Sequence, residues 1–314
     1  MKRFFVVVAV IVCCWASTVF AQGLPFASGD CSTGGLCSLN AYVGYAEHHM
    51  GTVQGFNYTT GNVQFNDTTR LPLSGLWLGF SGEAQVSDAF GCLLSGGGLV
   101  YAQSSGWADV EPDVWSAYSV DSRGEWWGYL DATASYSIGF LGRTSFLVGF
   151  RWDHYNSRTA ITYGNQPNND VEMDFKMNAY LPILGAQVTR TWWGGLLRIR
   201  AIGFPTVLGE MKYDWGENDA PAGYRYSEVS TQQMSRGYFV ELFAEYRRRM
   251  TGHSQVGAFV TLNQLHGVTD IGSYNFFEVT QTSGLAQGND DTGITFQRTS
   301  WTVGGSVSLD FNLL

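Results

Sequence analysis

From Trp301 to Leu313 the chain alternates: Trp301, Val303, Gly305, Val307, Leu309, Phe311 and Leu313 interleave with Thr302, Gly304, Ser306, Ser308, Asp310 and Asn312. A period of two puts one set on each face of a strand. One face is then apolar or glycine throughout, and the other carries only small or polar groups. A half-buried strand of a soluble sheet alternates in the same way, but is usually shorter and followed by a tail. A strand of this length at the chain's end is expected to close a barrel against the first strand.

The opening residues sharpen that expectation. In 1–21, Lys2 and Arg3 precede an apolar run over 4–12, and Val19-Phe20-Ala21 offers a cleavage site before Gln22. This is the layout of an export signal rather than of a membrane anchor. A cleaved signal and a closing strand together predict an all-β, transmembrane, antiparallel up-and-down barrel of the bacterial outer membrane, reached through the periplasm.

Composition fits the same class. No apolar run after residue 21 approaches the ~20 residues that a membrane helix needs. Charged residues are only 14 %, while 39 glycines stand beside 11 Trp, 16 Tyr and 20 Phe. Barrel strands turn alternate residues to the lumen and so need no long apolar run, and their aromatics form interfacial girdles. The net charge of −9 argues against nucleic acid as a partner.

Cleavage leaves Cys31, Cys37 and Cys92. Cys31 and Cys37 bracket a short loop, and a small disulfide between them is expected in an oxidising compartment. Cys92 is then a lone buried or lipid-facing residue. Neither the cysteines nor the five histidines have metal-ligand spacing, so no metal site and no cofactor is expected.

Three segments follow: a signal peptide over 1–21, an irregular periplasmic lead-in over 22–39, and one barrel domain over 40–314. The barrel reads as about ten strands, at 40–56, 71–86, 92–103, 125–139, 144–157, 173–189, 195–211, 236–250, 254–270 and 300–314. Long connections at 57–70, 104–124, 158–172, 212–235 and 271–295 alternate with short turns. Strict alternation of long and short is how such barrels divide surface loops from periplasmic turns, and it requires an even count. Pro182 falls inside the sixth strand, where a bulge near 181–185 would accommodate it.

The alternation also sorts the charges. Tyr238, Val240, Leu242, Ala244 and Tyr246 make a lipid-suited face, with Glu241, Glu245 and Arg247 opposite. Leu197, Ile199 and Ala201 oppose Arg198 and Arg200, and Phe146, Val148, Phe150 and Trp152 oppose Arg151 and Asp153. With Glu83, Asp131, Lys176 and Asp310 they predict a lumen holding acids and bases in similar numbers. An Arg or Lys on the lipid face would cost roughly 2–4 kcal/mol at the midplane. A network of ion pairs filling the lumen is the simplest use of this set; a lined ion pathway is the sharper one. About ten strands leave an interior that side chains can fill, whereas open aqueous channels belong to barrels of about sixteen or more.

The layout resembles the omptins, ten-stranded outer-membrane endopeptidases whose strands project above the membrane. The stretches Phe175-Lys176-Met177 and Gly149-Phe150-Arg151-Trp152-Asp153-His154-Tyr155 carry an omptin-like look. The resemblance implies an Asp pair facing an Asp-His pair in the upper cleft, with histidine as the base that activates water. Asp109-Val110-Glu111 stands where the Asp pair is expected, with Glu111 replacing one aspartate. Asp219-Ala220-Pro221 is the counterpart of the Asp-His pair, with proline in place of histidine. His266, followed by Asp270, is one substitute; His154 beside Asp153 and the pair His48-His49 are others.

The favoured reading is therefore a non-enzymatic surface, structural or ligand-binding barrel. An omptin-type peptidase with an altered site and a narrow channel or transporter are the alternatives. Expected partners are outer-membrane lipid, lipopolysaccharide and the barrel-insertion machinery.

Overall fold

The computed structural model describes residues 35–58, 63–87, 89–111, 118–138, 143–163, 169–219, 224–251, 254–269, 272–280, 284–292 and 294–310. The expected signal peptide, most of the lead-in, Cys31 and 311–314 lie outside the described residues. Thirteen strands follow in chain order: β1 (Gly35–Tyr58), β2 (Val63–Gln85), β3 (Phe90–Glu111), β4 (Tyr118–Ile138), β5 (Arg143–Tyr163), β6 (Asn169–Trp192), β7 (Gly195–Phe204), β8 (Leu208–Asp219), β9 (Tyr224–Thr251), β10 (Ser254–Thr269), β11 (Gly272–Thr280), β12 (Gly284–Thr292) and β13 (Ile294–Asp310).

Neighbours pair antiparallel from β1 to β6, then through β7 and β8 to β9, β10 and β13. The last strand returns to the first, from Ser38↔Asp310 to Gln54↔Ile294. β7 and β8 both pair with β6 and β9, and are the two halves of one stave. The result is a closed ten-stranded antiparallel barrel. Closure leaves none of the ten staves as an edge, which is what a sheet needs to lie in hydrocarbon. Each of the ten predicted strands coincides with a stave.

The long connections differ from expectation. Most of 57–70, 104–124, 158–172 and 212–235 is strand, so neighbouring staves run on together beyond the predicted ends. In 271–295, β11 and β12 form a hairpin that pairs with β9 from Asn275↔Val229 to Val279↔Arg225. The sequence of these segments shows no sustained apolar alternation. Without an apolar face the period of two is invisible in sequence.

The expected bulge at Pro182 is also corrected. The β5–β6 register runs unbroken through Phe150↔Pro182 and Leu147↔Gly185. The irregularity lies across the ladder, where β7 ends at Phe204 and β8 begins at Leu208. Leu184 pairs with Gly203 and Tyr180 with Leu208, so 181–183 face the break. A proline there removes no ladder bond toward β7 and β8.

Side chains sort by face as the alternation predicts. Phe80, Phe146, Phe150, Leu242, Leu262 and Val307 lie exposed on the outer wall. A continuous belt of such residues suits lipid rather than water. Cys92 is free and exposed on this same face. At the closing seam Gly44 pairs with Gly304. A Cβ on Gly304 would collide with the Val43 carbonyl and crowd the Phe259 ring, so glycine lets both the strands and that ring approach.

Candidate functional site

The lumen gathers buried charge. Asp131 on β4 and Arg151 on β5 are register partners, so their inward side chains meet. Arg151 holds Asp131 with both ends of its fork, Nε to Oδ1 at 2.5 Å and Nη2 to Oδ2 at 2.7 Å. Its Nη1 lies 2.8 Å from Glu241 Oε2. The other oxygen of Glu241 accepts from Arg200 Nη2 at 2.8 Å. Ser95 donates to Asp131 at 3.3 Å and Asn263 to Glu241 at 3.3 Å. The Arg151 guanidinium is also stacked between the rings of Tyr129 (4.2 Å) and Phe239 (4.4 Å).

A second bidentate pair lies toward the end of the barrel that carries the long connections. Arg298 Nη1 and Nη2 donate to the two oxygens of Asp153 at 2.7 and 2.6 Å. Trp127 Nε1 donates to the same carboxylate at 3.0 Å. Arg298 Nη2 also donates to Asn263 at 3.3 Å, which links this pair to Glu241 and the first cluster. Toward the short-turn end, Arg198 meets Glu83 at 2.9 Å. Arg247 meets Glu245 at 2.5 Å and donates to Ser308 and Tyr42 at 3.1 and 3.2 Å.

Among the described residues this is a set of five arginines (151, 198, 200, 247, 298) matched by five carboxylates (83, 131, 153, 241, 245). Each cation has an anion in reach, as burial of charge demands. Apolar layers fill the space between. Tyr42, Phe243 and Phe259 pack edge-on or stacked at 5.2–6.2 Å, and Tyr155, Phe175 and Phe296 close the interior toward the long-connection end. A cavity beside Arg198, Arg200, Ser81 and Ser95 leaves about 20 Å³ for water centres. That is room for one or two waters.

Nine of the eleven charges assigned to the lumen point inward, and the Asp310 side chain lies outside the described residues. Lys176 is the correction: it is exposed on the outer wall, while its neighbours Phe175 and Met177 are buried inside. Arg298 completes the set and had no sequence signal. It precedes the apolar alternation, between Gln297 and Thr299, where neither face is distinctive.

The peptidase candidates are not brought together as one group. His266 stacks on Tyr238 at 5.4 Å and faces the outer wall, since the buried residues of β10 there are Asn263, Leu265 and Thr269. Its strand lies four steps from β3 around the sheet. His154 also faces outward, with Nδ1 2.7 Å from Asn178 Oδ1 and its ring between Trp126 and Trp152. His49 lies outside, 2.9 Å from Glu47. Only His48 of these points inward, fully buried against the Trp127 ring at 4.5 Å. Asp109 and Glu111 stand in β3 opposite Thr68 and Asn66, and Asp219 ends β8 opposite Asn169 and Tyr224. These acids lie on two strands at the long-connection end, four staves apart. The Cys31–Cys37 pairing lies outside the described residues.

No protein-family model matches the chain, and no curated protein matches it in sequence. Solved structures do match. The outer membrane protease OmpT from Escherichia coli superposes with a TM-score of 0.59 at 10 % identity, over 87 % of this chain and 96 % of that one. The translocator domain of the autotransporter NalP from Neisseria meningitidis gives 0.35 at 10 % identity, over 94 % and 96 %. The outer membrane protein OprG from Pseudomonas aeruginosa gives 0.31 at 10 % identity, over 89 % and 99 %. At such identity the first of these is a likeness of fold alone. The chain folds as an omptin-like ten-stranded barrel of the outer-membrane type.

Proposed function

We propose that this protein is a non-enzymatic barrel of the bacterial outer membrane, in which a sealed stem carries a projecting strand wall that meets ligands or partners at the cell surface. The observation that carries the reading is the filled lumen. Among the described residues, six ion pairs linking five arginines to five carboxylates, and two aromatic layers, occupy the barrel interior, and the cavity beside Arg198 and Arg200 has room for a water or two. A stem of this kind is rigid and closed, which suits display better than transport. The projecting β11–β12 hairpin, laid against β9, extends the wall on one side. Lipopolysaccharide around the outer wall and the insertion machinery during assembly are the partners this reading implies.

One arrangement favours a second reading, a peptidase with an altered site. Asp109 and Glu111 on β3, and Asp219 on β8, lie on two walls of the projecting part. Against it stands Pro221, where the resemblance calls for histidine. One preparation tests both readings. The refolded barrel, shown folded by its heat-dependent gel shift, is mixed with a peptide library and lipopolysaccharide, and separately placed in a planar bilayer. The expected result is no cleavage above that of an Asp109→Asn/Glu111→Gln double variant, and no discrete conductance. Cleavage lost in the double variant would establish the peptidase, and charge-dependent conductance altered in Arg198→Gln would establish a channel.

A further inference from the structure

The short-turn end of the barrel is not uniform around its rim. The β6–β7 turn carries Trp192 and Trp193 as a stacked pair, ring centres 4.6 Å apart and 14° from parallel. Trp193 is 80 % exposed and adopts φ of 46°. Trp193 and Gly194 (φ 72°) are the two central residues of a two-residue hairpin, which requires positive φ at both, so the turn fixes the Trp193 backbone and presents its ring outward. Tyr246 of β9 braces the pair, its ring edge-on to Trp192 at 6.2 Å and its hydroxyl donating to the Trp193 carbonyl at 3.1 Å. The tryptophans are therefore held away from the barrel rather than folded onto it.

Cations surround this wedge. Arg190, Leu197 and Tyr246 lie in one register row across β6, β7 and β9. Arg248 follows Tyr246 on the same outward face of β9, with Arg249 and exposed Met250 beyond it. Arg190, Arg248 and Arg249 are exposed and make no ion pair or hydrogen bond among the described residues. The nearest acid of β9, Glu245, points inward and is engaged by Arg247. Elsewhere on the rim Arg143 is satisfied by Gln85. Among the described residues, unpaired guanidinium groups thus concentrate on the β6–β7–β9 side, beside the exposed Trp193.

We propose that this face docks anionic phospholipid in the periplasmic leaflet of the membrane. Indole rings settle at the level of the headgroups, where one end of the ring meets hydrocarbon and the other meets water. Guanidinium forks match phosphate oxygens, and a second negative charge on the headgroup distinguishes an anionic lipid from a zwitterionic one. The wedge would seat the acyl chains and glycerol against Trp192, Trp193 and Met250, with the three arginines reaching the headgroup. The proposal uses the outer-membrane reading only to name the leaflet; the preference itself is a property of the folded barrel.

Native mass spectrometry of the refolded barrel, in micelles holding equal amounts of phosphatidylglycerol and phosphatidylethanolamine, tests this. Phosphatidylglycerol is expected to be retained over phosphatidylethanolamine by roughly fivefold or more, given what a basic residue near an anionic surface contributes. Arg190→Gln/Arg248→Gln/Arg249→Gln should bring the ratio near one. Arg158→Gln/Lys176→Gln/Arg236→Gln, which removes equal charge from the opposite end, should leave the ratio unchanged. No preference in the wild type overturns the proposal, as does an equal loss in both triple variants. The heat-dependent gel shift, read on each sample, separates a failed patch from a failed barrel.

Discussion

Glu241 and Leu242 are consecutive residues of β9, yet they live in opposite solvents. Glu241 is buried between Arg151, Arg200 and Asn263, whereas Leu242 is exposed on the outer wall. A soluble sheet would bury the leucine and solvate the glutamate. Here the pleat delivers charge to the interior at every second residue, and partners must arrive from other strands to neutralise it. The same pleat lets the outer wall be satisfied by lipid alone. The inner face is therefore specified by pairing, and the outer face merely by polarity.

That contrast sets the expected costs. Arg151→Ala should be the most damaging change, since it leaves Asp131 and Glu241 buried without their shared cation. Breaking a buried pair costs about 3–5 kcal/mol, read as a lower urea midpoint for refolding into vesicles. Leu242→Arg attacks the other face, and should cost roughly 2–4 kcal/mol if the residue sits near the midplane. Equal tolerance of both changes would dissolve the distinction between the faces. Removing a pair whole sharpens it: Asp153→Leu/Arg298→Leu should cost less than either single change, because no orphaned charge remains. Trp193→Gly should change stability by about 1 kcal/mol or less, since relief of the left-handed strain is offset by chain entropy and by the lost interfacial contact of the ring. Lys176→Gln, on the outer wall and outside the network, should stay within about 0.5 kcal/mol.

The stem was legible in sequence wherever one face met lipid. Leu197, Ile199 and Ala201 against Arg198 and Arg200 needed no coordinates to assign. Legibility fails where that solvent ends. Lys176 sits among Asp174, Asn178 and Tyr180 on the outer row of β6, where polar residues occupy the outward positions too. Its period therefore carries no sign. Arg298 failed in the same way, and the projecting strand segments read as loops for the same reason. The partners inside the lumen were hidden for a different cause. Strand order and tilt, rather than any local pattern, decide that Arg298 meets Asp153.

The tethers across the lumen join residues far apart in the chain. Arg247 reaches Tyr42 across 205 positions, Arg298 reaches Asp153 across 145, and Arg198 reaches Glu83 across 115. Contacts of such separation form only after most of the chain has been laid out, when the first and last strands have found each other. Interactions absent from a transition state set the rate of unfolding and leave the rate of folding almost untouched. These long-range tethers are then a latch that engages last, over pairs such as Arg151–Asp131 and Arg247–Glu245 that join residues only 20 and 2 positions apart. Its loss should shorten the lifetime of the finished barrel without delaying its assembly.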